Sequence, residues 1–182
     1  MTPRRGALAR TAATFSDLIA RRLRRLVVND QHWRIGLRRR APGETPFVGL
    51  DRLKDPSWRW FEDDRQRYYA DPFLFEDGGA DYVFCEEFPY ATGKGGISVF
   101  ALDENGNPGP PRVVLERPYH LSYPLVFRHE RQIWMMPESG QNRTLELYRA
   151  ERFPDRWTLD RVLISGPKSA TRRPSSGGDN GG

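Results

Sequence analysis

What most constrains this chain is that it repeats itself. Residues 71–86 (DPFLFEDGGADYVFCE) align with residues 123–138 (YPLVFRHERQIWMMPE) at a constant offset of 52, so that Pro72 meets Pro124, Phe75 meets Phe127, Tyr82 meets Trp134 and Glu86 meets Glu138. At an offset of 48, residues 97–100 (ISVF) meet residues 145–148 (LELY), and Val114-Leu115 meets Val162-Leu163. Each unit holds four apolar segments of four to six residues, bounded by turn formers such as Asp77-Gly78-Gly79 and Asn105-Gly106-Asn107-Pro108. Segments of that length, rich in Val, Phe, Tyr, Leu and Ile, predict antiparallel strands. With 17 glycines and 15 prolines in 182 residues, turns outweigh long helices. The expected fold class is all-β. A four-stranded sheet recurring every 40–50 residues is the pattern of a β-propeller blade, and it places one blade at residues 69–117 and the next at 121–165.

Propellers close with four to eight blades, and two are not enough, even with a strand expected at residues 32–37. Residues 166–182 have no apolar period and read as a disordered tail. The expectation is therefore an incomplete propeller, a truncated or frame-shifted product of a longer protein.

The formal charge of +5 is unevenly spread, because residues 1–40 contain 11 arginines and two aspartates, leaving the remainder acidic. Nucleic-acid binding would require basic residues over the folded part, so no nucleic-acid partner is expected. In the basic arm, residues 8–27 read as an amphipathic helix, with Leu8, Ala12, Phe15, Ile19, Leu23 and Leu26 on one face and Arg10, Asp17, Arg21 and Arg24 on the other. Such a helix either packs on its own domain or a partner, or makes peripheral contact with an anionic membrane surface. Residues 41–68 form a connection without a clear pattern. Cys85 is the single cysteine, which excludes an internal disulfide and a thiolate metal cluster. No stretch is long and apolar enough for a membrane span or a secretory signal, and a cytoplasmic location is expected. Gly93-Lys94-Gly95-Gly96 lacks the spacing of a phosphate loop, so no cofactor is expected.

Chemistry is expected at the first hairpin of each unit. If Gly78-Gly79 and Glu130-Arg131 are two-residue loops, Asp71 lies across from Glu86 and Tyr123 lies across from Glu138. Asp71, Glu86 and Glu138 are then catalytic candidates at one polar mouth, with His120, Tyr123 and Tyr90 as candidate substrate contacts. Tyr68 and Tyr69 also lie near that rim, while Glu87 reads as a solvated neighbour and Tyr82, Phe84, Trp134 and Met136 as core. Paired carboxyls suit glycoside chemistry, in which one is kept protonated near neutrality by its neighbours. No metal site is expected.

Several motifs carry a family resemblance. Ala70-Asp71-Pro72-Phe73-Leu74-Phe75, Cys85-Glu86-Glu87, Gly93-Lys94-Gly95 and Ile97-Ser98-Val99 come from the first unit. The second supplies His120-Leu121-Ser122-Tyr123-Pro124, Met136-Pro137-Glu138-Ser139 and Leu145-Glu146-Leu147-Tyr148-Arg149. Over about residues 69–164, with Trp33-Arg34-Ile35-Gly36 as a lead-in, the chain resembles the N-terminal domain of glucosamine inositolphosphorylceramide transferase. The resemblance implies a five-bladed propeller similar to glycoside hydrolase family 43, a carbohydrate or glycoconjugate ligand, and a general-base position at Asp71. The hydrolase pattern has a second Asp before Pro where this chain has Tyr123, which argues against hydrolysis. Two roles stay open: a module that acts on a glycan, inactive in truncated form, and a non-catalytic binding or scaffold module beside a glycosyltransferase domain. A membrane-surface adaptor using the arginine-rich segment is a third.

Overall fold

A computed structural model describes residues 32–40, 42–44, 54 and 56–166. The expected helix at residues 8–27 and all but the first residue of the expected tail lie outside these. The chain divides into two compact units, residues 1–34 and 35–182, and every strand named below lies in the second. Among the described residues the structure is all-β, with no α-helix.

The two sequence repeats form two four-stranded antiparallel meanders. Sheet 1 contains β3 (Arg67–Asp77), β4 (Ala80–Pro89), β5 (Gly96–Ala101) and β6 (Arg112–Leu115), in that spatial order. Sheet 2 contains β7 (Ser122–His129), β8 (Gln132–Ser139), β9 (Thr144–Arg152) and β10 (Arg156–Ser165), also in chain order. A two-residue pairing of β1 (Gly36–Leu37) with β2 (Arg59–Trp60) precedes them, so only the end of the expected 32–37 strand pairs. Both expected hairpin loops form, since Asp77 pairs with Ala80 and His129 with Gln132. Gly78 and Gly79 supply positive φ at the first turn without a Cβ penalty, whereas Glu130 is held at φ 56° in the second.

Strand alternation sends each sheet's side chains to two faces. On sheet 1, Phe84, Ile97, Val99 and Leu115 face sheet 2 and pack with its Val126, Ile133, Met135, Tyr148 and Trp157 and with Leu121 of the β6–β7 connection. Phe153, from the turn between β9 and β10, enters this layer with ring centroids 5.6 Å from Phe75, 5.0 Å from Tyr82 and 5.9 Å from Phe84. The opposite face of sheet 1 carries Tyr69, Val83, Cys85 and Phe100, covered by Ile35 and Phe61 beside the β1–β2 pair. Arg39 and Arg59 tie that cover down by donating to the carbonyls of Glu104 and Asn105 in the β5–β6 connection. Sheet 1 is thus enclosed on both sides, which is why β4 reads as five consecutive buried residues from Val83 to Glu87. Tyr82 is half-buried against Phe153 and packs with the core as the pattern predicts, and Phe84 is fully buried.

Sheet 2 is enclosed on one side. Its outer face carries Leu125, exposed, with Phe127, Trp134 and Met136 half-buried. Trp134 and Met136, read as core from the pattern, therefore stand on an open face, and the indole N–H of Trp134 is buried without a hydrogen-bond partner.

Candidate functional site

The site begins with a departure from regular pairing that occurs twice. In β3, Phe73 pairs with Phe84 but Ala70 pairs with Glu86, so one extra residue is inserted. In β7, Leu125 pairs with Met136 but Ser122 pairs with Glu138, the same insertion at the same place. The inserted turn is made by Asp71 at φ 50° and Tyr123 at φ 46°, each directly before a proline. Left-handed backbone costs a non-glycine residue on the order of 1 kcal/mol, and a following proline disfavours helical torsions further. Strand pairing on both sides holds the strained residue in place. The expected pairs Asp71–Glu86 and Tyr123–Glu138 are corrected accordingly: Ala70 and Ser122 stand opposite the glutamates, because each bulge displaces its vertex residue by one position.

Displacement does not separate Asp71 from Glu86. The Glu86 side chain faces sheet 2, is only 5% exposed, and its pKa is pushed up to about 7. Burial is the largest cause, followed by the charge of Asp71, a hydrogen bond with Asp71 and the charge of Glu138. Asp71 and Glu86 therefore share a hydrogen bond at the strand end, with Glu138 near enough for its charge to act on Glu86. Asp71 is half-buried there, and Glu138 is exposed, with Ser122 donating to its Oε2 at 3.4 Å.

His120, in the connection from β6 to β7, completes the enclosure of Glu86. Its Nε2 lies 3.3 Å from Glu86 Oε1 without forming a hydrogen bond, and that oxygen has no hydrogen-bond partner. Its Nδ1 accepts the Gly95 N–H at 2.9 Å, and its own backbone N–H donates to Gln141 Oε1 at 2.7 Å. Only glycine fits position 95, since a Cβ there would lie 2.7 Å from both Glu86 Oε1 and the Leu121 carbonyl oxygen.

Aromatic rings line one side of the mouth. Tyr68 stacks on Phe88 at 4.9 Å, Tyr90 lies 6.1 Å from Tyr68, and Phe88 lies 5.9 Å from the His120 ring. Burial and the charges of Glu86 and Asp71 push the Tyr68 hydroxyl up to about 12, which places it in the same electrostatic neighbourhood. Tyr90 is half-buried in this band, and Tyr123 stands 64% exposed at its own bulge. Tyr69 does not belong to the rim, because strand alternation turns it to the other face of sheet 1, against Phe100. Phe88, Gly95 and Gln141 were not legible as site residues; the Phe88-Pro89-Tyr90 run at a strand end and the Gly93-Lys94-Gly95 motif were the traces of the first two in the sequence.

Two further carboxylates are buried away from the mouth. Glu87, expected to be solvated, is buried, ion-paired with Arg67 and bonded by Ser98 Oγ. Glu146 accepts from Tyr119, Tyr148, Thr144 and Asn142. Burial pushes its carboxyl up, and these four donors outweigh burial and hold it below its ordinary value. Cys85 is buried, and its thiol is pushed well up by desolvation, so it is an unreactive core residue. Among the described residues no cluster of His, Cys, Asp or Glu is placed to hold a metal, and no helix is long and apolar enough to cross a membrane.

Chemically, a carboxyl that titrates near neutrality beside a second carboxyl can both give and take a proton. Carboxylates flanked by tyrosine faces are also suited to the hydroxyls and the apolar faces of a sugar.

The profile of the family described as glucosamine inositolphosphorylceramide transferase 1, N-terminal, matches residues 62–171. Proteins named glucosamine inositolphosphorylceramide transferase 1 from two Oryza sativa subspecies, indica and japonica, are 42% identical over 101 residues, covering 55% of this chain and 14% of theirs. The protein of that name from Arabidopsis thaliana is 38% identical over 101 residues, covering 55% of this chain and 13% of its own length.

Proposed function

We propose, since the chain belongs to the family of the glucosamine inositolphosphorylceramide transferase N-terminal domain, that it is a carbohydrate-associated module whose acidic mouth receives a glycan or glycoconjugate, beside glycosyltransferase chemistry carried elsewhere. The observation that carries this reading is the convergence of Asp71, Glu86 and Glu138 next to the Tyr68–Phe88 stack. The names of the rice and Arabidopsis relatives make a glucosamine- and inositol-phosphate-bearing headgroup the class to try first. In this reading Asp71 and Glu86 accept sugar hydroxyls, while Tyr68, Tyr90 and Tyr123 offer ring faces. The test is calorimetric titration of the chain with glucosaminyl-inositol phosphate. Asp71→Asn or Glu86→Gln is expected to weaken binding by roughly 10- to 100-fold, the worth of a hydrogen bond to a charged group. Binding that ignores both substitutions would overturn the reading.

One observation favours a catalytic version. Burial and the charge of Asp71 push the Glu86 carboxyl up to about 7, in the range of a general acid, and Asp71 beside it can serve as base. Turnover of aryl glycosides that is lost in Asp71→Asn while binding persists would support it. The arginine-rich segment at residues 8–27 is proposed to bring the module to the anionic surface on which glycolipids are displayed. Vesicle flotation of the full chain, with Arg21, Arg22, Arg24 and Arg25 changed to Gln as the comparison, measures this.

The same reading extends to architecture, with each sheet a propeller blade. Phe73, Phe75, Tyr82 and Phe84 of sheet 1 meet sheet 2, and the repeat places Leu125, Phe127, Trp134 and Met136 at the same positions on the outer face of sheet 2. A third sheet of the same build packs there in the closed ring, covers Glu138 as sheet 2 covers Glu86, and supplies an acceptor for the orphaned Trp134 N–H.

A further inference from the structure

We infer that His120 is a positioning residue locked as its Nε2–H tautomer, and that it divides the labour of the Glu86 carboxyl by reserving Oε1 for the imidazole and leaving Oε2 to carry the exchangeable proton. The inference refines the site of the proposed glycan reading, yet it rests on contacts that exist without any sugar.

Four contacts fix the imidazole. The backbone N–H of His120 is held by Gln141 Oε1 at 2.7 Å, and its ring lies 5.9 Å from Phe88. Leu121, the next residue, donates its backbone N–H to the Gly95 carbonyl at 3.0 Å. The Gly95 N–H in turn donates to Nδ1 at 2.9 Å. A nitrogen that accepts an N–H uses its lone pair and carries no hydrogen, so the ring hydrogen of the neutral imidazole sits on Nε2. Nε2 is the nitrogen 3.3 Å from Glu86 Oε1.

That oxygen is buried and has no other partner. Facing an N–H, it is an acceptor in either protonation state of Glu86. When Glu86 is protonated, a hydrogen on Oε1 would point at the imidazole N–H, so it resides on Oε2. The groups that face Glu86 are Asp71 and Tyr68 from β3, Glu138 from β8, and His120 itself. Asp71 and Glu138 both favour the protonated form through their charge. His120 is the donor set against Oε1, and its role is to limit how far that form is favoured. The closeness of Gly95 is a condition for this arrangement: a Cβ at that position would lie 2.7 Å from Oε1 and 2.8 Å from the His120 ring carbon Cε1.

The test is spectroscopic. Nitrogen NMR of the imidazole in the unsubstituted chain reads the tautomer directly, and the carboxylic-acid infrared band, assigned through Glu86→Gln, reads the Glu86 titration. The expected result is Nε2–H throughout that titration. In His120→Phe, which keeps the ring and removes the N–H, the Glu86 midpoint is expected to rise by about one pH unit, the usual effect of losing a hydrogen bond to the ionised form. His120→Gln returns an N–H near the Nε2 position and is expected to restore the midpoint. An Nδ1–H tautomer, an unmoved midpoint in His120→Phe, or a His120→Gln variant that behaves like His120→Phe would each overturn the inference. None of these measurements involves a sugar, so absence of glycan binding would leave this result standing, and its own failure would leave the glycan reading to be judged by titration.

Discussion

Sheets 1 and 2 follow one sequence pattern and occupy different surroundings. Sheet 1 is covered on both faces, by sheet 2 and by Ile35 and Phe61, whereas sheet 2 is covered on one. The same strand position therefore has different physics in each: Glu86 is enclosed and titrates at about 7, and its counterpart Glu138 stands exposed. The difference teaches that neighbours, and not the strand's own sequence, decide what an acidic residue at this position does. A second contrast lies on the other faces. Sheet 1 buries Glu87 on its second strand against Ser98 on its third, and sheet 2 buries Glu146 on its third strand at the position of Ser98, with Ser139 at the position of Glu87. Carboxylate and hydroxyl have exchanged strands across the same diagonal, so each sheet retains one buried acid with polar partners on that face.

The sharpest way to break the contrast of covered and uncovered faces is truncation at equivalent positions. Phe84→Ala removes a fully buried ring between the sheets and is expected to cost about 3–5 kcal/mol, while Met136→Ala on the open face is expected to cost less than about 1 kcal/mol. Equilibrium denaturation measures both, and equal losses would mean that the outer face is covered in solution. Next in size is pH dependence. The folded state holds a proton on Glu86 that the unfolded chain releases above its ordinary value of 4.5, so this stabilisation is complete below about 4.5 and is lost as pH rises through about 7. The loss amounts to at most about 3 kcal/mol. Glu86→Gln is expected to flatten that slope in urea titrations from pH 4 to 8, and Glu138→Gln to leave most of it.

The smallest expected effect concerns the two hairpin turns. Glu130→Gly relieves a side chain held at positive φ and is expected to stabilise by about 0.5–1 kcal/mol, whereas Gly78→Ala is expected to destabilise by a similar amount. Thermal unfolding of the pair reads both signs in one experiment.

The strand pattern and both hairpin loops were legible in the sequence, because alternating apolar residues and the Gly78-Gly79 turn act locally and the repeat carries the same loop position to Glu130-Arg131. The nearness of Asp71 to Glu86 was legible too, since it follows from the first hairpin loop. The bulges were not. Asp71 and Tyr123 adopt a backbone that neither residue favours before proline, and only pairing on both sides of the vertex imposes it. The burial of Glu87 escaped for a related reason: its partners Arg67 and Ser98 lie on two other strands, and only the full register brings them together. Ser98 within the apolar run Ile97–Phe100 was the one available hint. The open face of sheet 2 was invisible for the opposite reason, because its residues are as apolar as those of sheet 1.

The paired bulges also bear on how such a domain can diverge. Each vertex residue is presented by main-chain torsion that its strand imposes, not by a bespoke nest of side-chain contacts, so the scaffold behaves as a socket that tolerates different plugs. Here one socket holds a carboxylate and the other a phenol, with the surrounding register unchanged. A lineage can therefore exchange acid chemistry for aromatic grip, or the reverse, by a single codon change and without refolding.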